Sequence, residues 1–519
     1  MQLEWRRLGR LFLLTFLVQQ ACRNGHSFRP SQSQSFHHIG VREGVFGSHQ
    51  FYCVQKIERS NMIMMASVAN GRDEKQTTAK NTTSTTAFDE PSNSTTITNT
   101  DAAVTFHVVG DAYVDFFSFL DGNWPESGGD SRLGEPVKCY AGGSSVNTAT
   151  HLKALIQNFT ASPKPEVVLH TVLNPDDQYG QMLLDHTSKH GIPVDNRKRE
   201  GDTSTTGHCI AIVSGGERSF MTHQGVVENF TADDLDVEVI AATPTHLHLH
   251  LAGYYNIPGF WNGTLKQKLE AVREQRKKRF PNKNTTISLV TQHDATKEWD
   301  GGLSDLFPLL DFVLMNDLEA RSIIQSGSQR KKINGIKQGS FEHEHLEWAD
   351  YFGSLHPTSK AIVTRGEKGS VALRGKKILS KQKPIVMNSI DPTGAGDSFT
   401  AGFIFGLWSW KLGGLDDLAY TKTISEDQSL KATRDKLRPA SATENDDSLD
   451  DNDNDAWPIE AIEEGMRWGV SLASAAVMIR GASVPPDGIE IQKFLEQAKE
   501  PEYPVFENDI AKLYTSVEK

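Results

Sequence analysis

Residues 390–403 read "IDPTGAGDSFTAGF", two glycines and an acid followed by a tail of small residues, with glycines at Gly394, Gly396 and Gly402. A dinucleotide-binding turn requires Gly-x-Gly-x-x-Gly, and counting from Gly394 the third glycine falls on Phe399, so that reading fails. A Walker loop fails as well, because nowhere does Gly-Lys-Ser/Thr close a glycine run. The preceding "PIVMNSI" predicts a strand and "DSFTAGFIFGLWSW" predicts a helix, with Gly402 on a tightly packed face. The turn then sits on a helix N-terminus, where the amides of Gly394, Ala395 and Gly396 have no intrahelical partner. Glycine permits positive φ and close approach of a ligand, and the helix dipole adds about half a positive charge. The result is an anion hole suited to a phosphoryl group. Asp397 follows in the first helical turn. A carboxylate there either caps the helix or removes a proton from an attacking hydroxyl, as phosphoryl transfer to an alcohol requires.

Around this stretch, strand-like and helix-like runs alternate. "EVVLHTVL", "VEVIAATPTHLHLHL", "TISLVTQ", "DFVLMN" and "AIVTRG" predict short core strands; "DQYGQMLLDHTSKHG", "TLKQKLEAVREQRKKRF", "DLEARSIIQSG" and "LEWADYFGSLH" predict helices. "AAVTFHVVGDAYVDFF" predicts a buried strand ending in a functional turn. This pattern is an α/β fold with a mostly parallel sheet covered on both faces. "TGHCIAIVSG" and "SFMTHQG" predict antiparallel strands, hence a small accessory sheet.

The 519 residues carry a net charge of −12, which argues against a general nucleic-acid binder. The four cysteines, Cys22, Cys53, Cys139 and Cys209, form neither a disulfide framework nor a zinc spacing. "MQLEWRRLGR" followed by the short apolar "LFLLTFLV" has the pattern of a secretory signal, giving a presequence over 1–27 and no membrane span in the mature form. Residues 28–100 are expected to be a transit-like segment and disordered linker, first Ser-, His- and Arg-rich, then rich in Asn and Thr, with sequons at Asn81 and Asn93. The remainder, 101–519, contains an acidic run, "TENDDSLDDNDNDA", expected to be a solvated insertion over about 422–456. His246, His248 and His250 alternate with leucines and share one strand face; they suit either a metal or a half-exposed polar edge near the cleft.

The run "DPTGAGDSFTAGF" resembles the second signature of the ribokinase-like (PfkB) family of carbohydrate and nucleoside kinases, and "AGGSSVNTATHL" resembles its first. The resemblance runs from about Thr105 to the C-terminus, apart from the acidic run. It implies a three-layer α/β/α domain with a small β-sheet lid, ATP and magnesium as cosubstrate and cofactor, and transfer of the γ-phosphoryl group to a sugar hydroxyl. The short "SFRP" resembles the cleavage motif of plastid presequences in algae with complex plastids, implying a secretory route onward to such a plastid.

Residue by residue, the resemblance makes Asp397 the base, with Gly394, Ala395 and Gly396 as anion hole. It assigns acceptor binding to Asp115, Gly142, Gly143 and Asn147. Asn316 and Glu319, one helical turn apart, would organise magnesium-bound water and the ATP phosphates; the plain alternative is an N-cap Asn and an exposed helix Glu. Thr364, Gly366 and Gly369 would border ATP, or simply form a hairpin turn, and Gly481 would close over adenine. Asp391 and Thr393 match positions that in relatives help hold a monovalent cation such as potassium. Homodimers through the lid are frequent in that family. A nucleoside acceptor is the nearer rival; sugar is preferred because the lid segment "GHCIAIVSGGERSFMTHQG" lacks an aromatic cluster suited to stacking a base. A non-catalytic sugar sensor is the rival from another class, and predicts a damaged hole or a missing base.

Overall fold

A run of apolar and β-branched residues, broken only by His107 and closed by Gly110, makes Val104–Gly110 (β1) a strand buried on both faces. The computed structural model describes residues 103–160, 164–214, 217–330, 341–412 and 457–498. The presequence, the linker, Cys22, Cys53, both sequons and the acidic insertion lie outside the described residues.

After β1 come Tyr113–Phe119 (β2), Lys138–Gly142 (β3), helix Ser144–Phe159 (α1), Glu166–Thr171 (β4), helix Gln178–Lys189 (α2) and Val194–Asn196 (β5). His208–Ser214 (β6), Glu217–His223 (β7), His246–Ala252 (β8), helix Thr264–Arg279 (α3), Thr285–Val290 (β9) and Phe312–Asn316 (β10) follow. The rest is helices Asp317–Arg330 (α4) and Phe341–Leu355 (α5), strands Lys360–Thr364 (β11), Ser370–Arg374 (β12) and Lys377–Gln382 (β13), and helices Ala395–Lys411 (α6), Ile459–Ala476 (α7) and Gly488–Gln497 (α8).

Nine strands form one sheet in the order β13-β12-β11-β10-β9-β8-β1-β4-β5, parallel from β11 through β5 and antiparallel only at the β11–β12–β13 edge. Four strands, β3-β2-β6-β7, form the separate small sheet. β6 and β7 are antiparallel, while β2 and β6 pair in parallel. Helices α6 and α7 cover one face of the large sheet. Their backbones approach closely because an added Cβ at Gly402 or Gly406 would lie 2.5 or 2.6 Å from a carbonyl oxygen of α7.

Two expectations fail locally. "PIVMNSI" pairs with no strand: residues 383–389 are irregular, and although Ile385 packs against the core, Val386 is 94% exposed. The stretch before β8 is a short helix, Val237–Ala241, capped by Asp236, whose side chain accepts from the Val239 amide. Local N-capping there outweighs β-branching.

The histidines of β8 face inward. Trp408 Nε1 on α6 donates to His248 Nδ1 at 2.9 Å, so His248 Nε2 must donate to Ser288 Oγ at 2.8 Å. Ser288 in turn donates to His250 Nδ1 at 2.8 Å. Burial pushes the His250 imidazole down to about 3 and His248 well below its ordinary value, keeping both neutral. They cross-link sheet and helix, away from the cleft. Among the described residues no group of three or more His, Cys, Asp or Glu side chains is arranged to hold a metal ion, and no helix is long and apolar enough to cross a membrane. Cys139 and Cys209 form no disulfide.

Candidate active site

Helix α6 begins at the glycine turn. Gly394 is its N-cap at φ 76°, a left-handed conformation open to glycine but costly for other residues. The amide of Ala395, expected to be free, bonds the Pro392 carbonyl at 3.3 Å, because the residues before it close a tight turn. The amides of Gly396 and Asp397 make no backbone hydrogen bond, and a Cβ on Gly396 would meet open space. The free amides at the helix tip are therefore those of Gly394, Gly396 and Asp397, with Asp397 standing in for Ala395.

Asp397 is 4% exposed. Its Oδ1 accepts from Ser144 Oγ at 2.7 Å and Gln292 Nε2 at 2.9 Å, and its Oδ2 accepts from Asn147 Nδ2 at 2.8 Å. Burial pushes its carboxyl up to about 6, against the pull of those three donors. A group poised there is ionised at neutral pH yet basic enough to take a proton. It does not cap its helix.

Asn147 thus spends its amide on Asp397 and not on an incoming hydroxyl. Its Oδ1 is buried without a partner, which leaves an acceptor for a ligand. Gly143, at φ 92°, turns β3 into α1; a Cβ there would lie 2.6 Å from the Asp111 carbonyl. A Cβ on Gly142 would lie 2.1 Å from Asp115 Oδ2, so only glycine lets that carboxylate lie against the turn. Burial, then the neighbouring carboxylates of Asp111, Asp397 and Asp391, pushes Asp115 up to about 7.

On the other side of the helix tip, Asn316 Oδ1 caps α4 by accepting from the Glu319 amide at 2.9 Å. Glu319 is nonetheless buried and not exposed: it accepts from Thr291 Oγ1 at 2.7 Å and from the Asn316 amide at 3.1 Å. Burial raises its carboxyl. One cleft is lined by Gln292, Asn316, Glu319, Thr364 and the Gly394–Asp397 turn, so the structure brings together four segments that stand far apart in the chain. A buried carboxylate and an amide facing the anion hole fit magnesium held through water. Gly366 and Gly369 form the β11–β12 hairpin turn, at φ 52° and 82°, and only Thr364 of that trio lines the cleft. Gly481 does not line it either. At φ 99°, its amide donates to Asp391 Oδ2 at 3.1 Å, and a Cβ would strike Tyr140 of β3 at 2.5 Å.

Asp391 Oδ1 accepts from the Thr393 amide at 3.0 Å and faces Arg218 Nη1 at 3.6 Å, and that Nη1 donates to Thr393 Oγ1 at 2.8 Å. Both carboxylate oxygens are thus engaged, and a cation adjoins one of them. The expected monovalent cation on Asp391 and Thr393 does not fit this arrangement.

Four site residues escaped the sequence reading. Asp111 is fully buried, accepts from the Ser144 amide at 3.2 Å and Asn256 Nδ2 at 2.9 Å, and is pushed up to about 7 chiefly by burial. Ser144 and Gln292 hold Asp397. Gln292 does so at φ 61°, a strained backbone for a residue with a side chain, of the kind kept at functional positions. Arg218 is the fourth. The sequence signals are that Asp111 lies in the expected functional turn after the first strand and that Ser144 adjoins Gly143.

A family model described as pfkB family carbohydrate kinase matches residues 106–416. The chain is 23% identical over 272 residues to adenosine kinase 1 of Arabidopsis thaliana, covering 52% of this chain and 72% of that protein. It is 23% identical over 268 residues to fructokinase-2 of Oryza sativa subsp. japonica, covering 51% and 68%. The solved ribokinase of Giardia lamblia shares the fold, with a TM-score of 0.52 at 16% identity over 75% of this chain and 99% of that one. With the anion-hole helix and the separate lid sheet in place, the match across the core shows that this chain belongs to the pfkB family of carbohydrate kinases, phosphotransferases acting on sugar or nucleoside hydroxyls.

Proposed function

We propose that the chain transfers the γ-phosphoryl group of ATP to a hydroxyl of a small sugar, with Asp397 as general base. The observation that carries this is the buried Asp397 carboxylate, held by three donors beside the free Gly396 and Asp397 amides at the tip of α6. The acceptor hydroxyl gives its proton to Asp397; the amides meet the negative charge of the phosphoryl group in transit. Asp115, with the unpartnered Oδ1 of Asn147, would accept hydrogen bonds from the other hydroxyls. Glu319 and Asn316 would hold magnesium through water, and the metal would neutralise charge on the ATP oxygens. The lid sheet covers the acceptor and excludes competing water.

A nucleoside acceptor is the second reading, and one observation favours it. Strand register puts Phe117, Ala211 and Phe220 on the lid face that also carries Asp115 and Cys209, with Tyr140 opposite Asp115. Phe117 and Tyr140 meet edge to face, with centroids 5.6 Å apart, and Phe220 is 55% exposed. Two of those aromatics come from strands outside the segment the sequence reading considered. A coupled assay of ATP turnover with ribose, fructose and adenosine separates the readings. Turnover with none of a broad panel of sugars and nucleosides, while a sugar still raises thermal stability, would leave a sugar sensor.

A further inference from the structure

Asp391 sits at the foot of the anion-hole turn, three residues before its first glycine, and is 6% exposed. Its charge needs a partner in a cleft already crowded with the Asp111, Asp115 and Asp397 carboxylates, whose mutual repulsion raises Asp115. The partner comes from the lid. Arg218 opens the edge strand β7 and lies opposite Val213 of β6, on the face that carries Phe220 and Thr222. From there its Nη1 spans 175 residues of sequence to donate to Thr393 Oγ1 at 2.8 Å, and stands 3.6 Å from Asp391 Oδ1. Thr393 adjoins Gly394, the cap of α6. The guanidinium is three-quarters buried, so the pair is only weakly screened.

We propose that Arg218 takes the place of a monovalent cation at Asp391: the lid itself supplies the positive charge that orders the anion-hole turn. Arg218 is a positioning residue, acting through Asp391 and Thr393, and the inference rests on the kinase reading given above for the role of that turn. A second cation on Asp391 Oδ1 would stand within a few ångströms of the guanidinium and be repelled by it. Two consequences follow from the geometry. The chain is indifferent to potassium, and the turn is ordered only when the lid is seated.

The experiment compares potassium chloride with tetramethylammonium chloride at equal ionic strength, on the full chain and on Arg218→Ala, Arg218→Gln and Arg218→Lys. Melting temperature is read for all four proteins with no substrate, so this arm does not depend on turnover. The parent is expected to melt at the same temperature in both salts, and Arg218→Ala and Arg218→Gln to melt higher in potassium, since the vacated carboxylate then takes a cation. Arg218→Lys keeps a point charge and should behave as the parent. In the turnover arm the parent rate should be equal in both salts. Arg218→Ala should lose roughly tenfold in kcat and recover part of it in potassium or in added guanidinium. A potassium-dependent melting temperature or rate in the parent overturns the proposal, as does cation indifference in Arg218→Ala and Arg218→Gln alike. Failure of the parent to phosphorylate any acceptor, with the melting pattern as expected, refutes the kinase reading and leaves the Arg218–Asp391 substitution standing.

Discussion

Asp397 on the helix tip and Asp115 on the lid are both acids of one cleft, and they are treated in opposite ways. Three donors, contributed by α1 and by the loop after β9, saturate Asp397 and fix its direction. Asp115 is held up by burial and by like charges, and the structure gives it repulsion in place of donors. In the proposed reaction the first takes the proton of a hydroxyl delivered to it. The second is left short of donors, and an incoming polyol can provide them. On that reading the two acids divide the work between the tip of α6 and the small sheet.

Replacing Asp397 by Asn should break this division most severely. Neutralising the base removes about a thousandfold or more of kcat while leaving the fold intact, as circular dichroism and melting temperature would show. Unchanged kcat would end the assignment. In the parent, kcat/KM should rise with pH until Asp397 is ionised near about 6 and level off above the values near about 7 of the two neighbouring acids.

Asp115→Asn should act on the other term. It loses charge-assisted hydrogen bonds to the acceptor, worth about 1.5–3 kcal/mol each, so acceptor KM should rise by about ten- to a hundredfold with a smaller change in kcat. An equal loss in kcat would place Asp115 among the reacting groups.

Trp408→Phe tests a region that takes no part in the comparison. It removes the donor that starts the Trp408–His248–Ser288–His250 chain, leaving His248 Nδ1 unpaired in the core. Denaturant unfolding should report a loss of about 1–3 kcal/mol, with acceptor KM unchanged.

The last effect concerns stability against pH. Asp115 holds its proton to about 7 when folded, but releases it near its ordinary value when unfolded. Between those values the folded state binds more protons than the unfolded one, so this group's contribution to stability falls as pH rises and is fully lost above about 7. Asp115→Asn removes that loss, so its stability relative to the parent should grow by about 2.5 kcal/mol between pH 5 and 8, measured by urea unfolding at each pH.

The helix tip was legible because everything it uses is local. Gly394, Gly396 and Asp397 stand within four residues, and free amides, positive φ and the dipole are properties of one turn. The Asn316–Glu319 pair was legible for the same reason, although its two plain readings resolved differently: Asn316 does cap, and Glu319 is buried. Asn147 was found without its bond to Asp397, since that neighbour lies 250 residues away. The lid aromatics were missed because they meet across strand register, on β2, β3 and β7, and not within one segment.

The sequence by itself determined the glycine-capped helix tip, the acid beside it, the α/β alternation and the existence of a small second sheet. Those follow from backbone geometry and hydrophobic period, which a few consecutive residues specify. Only the tertiary structure decided which side chains hold Asp397, that Gln292 bears a strained backbone to do so, that the β8 histidines belong to the core, and that the charge facing Asp391 comes from Arg218. Those depend on which buried groups, hundreds of residues apart, are left to satisfy one another once the sheets have packed.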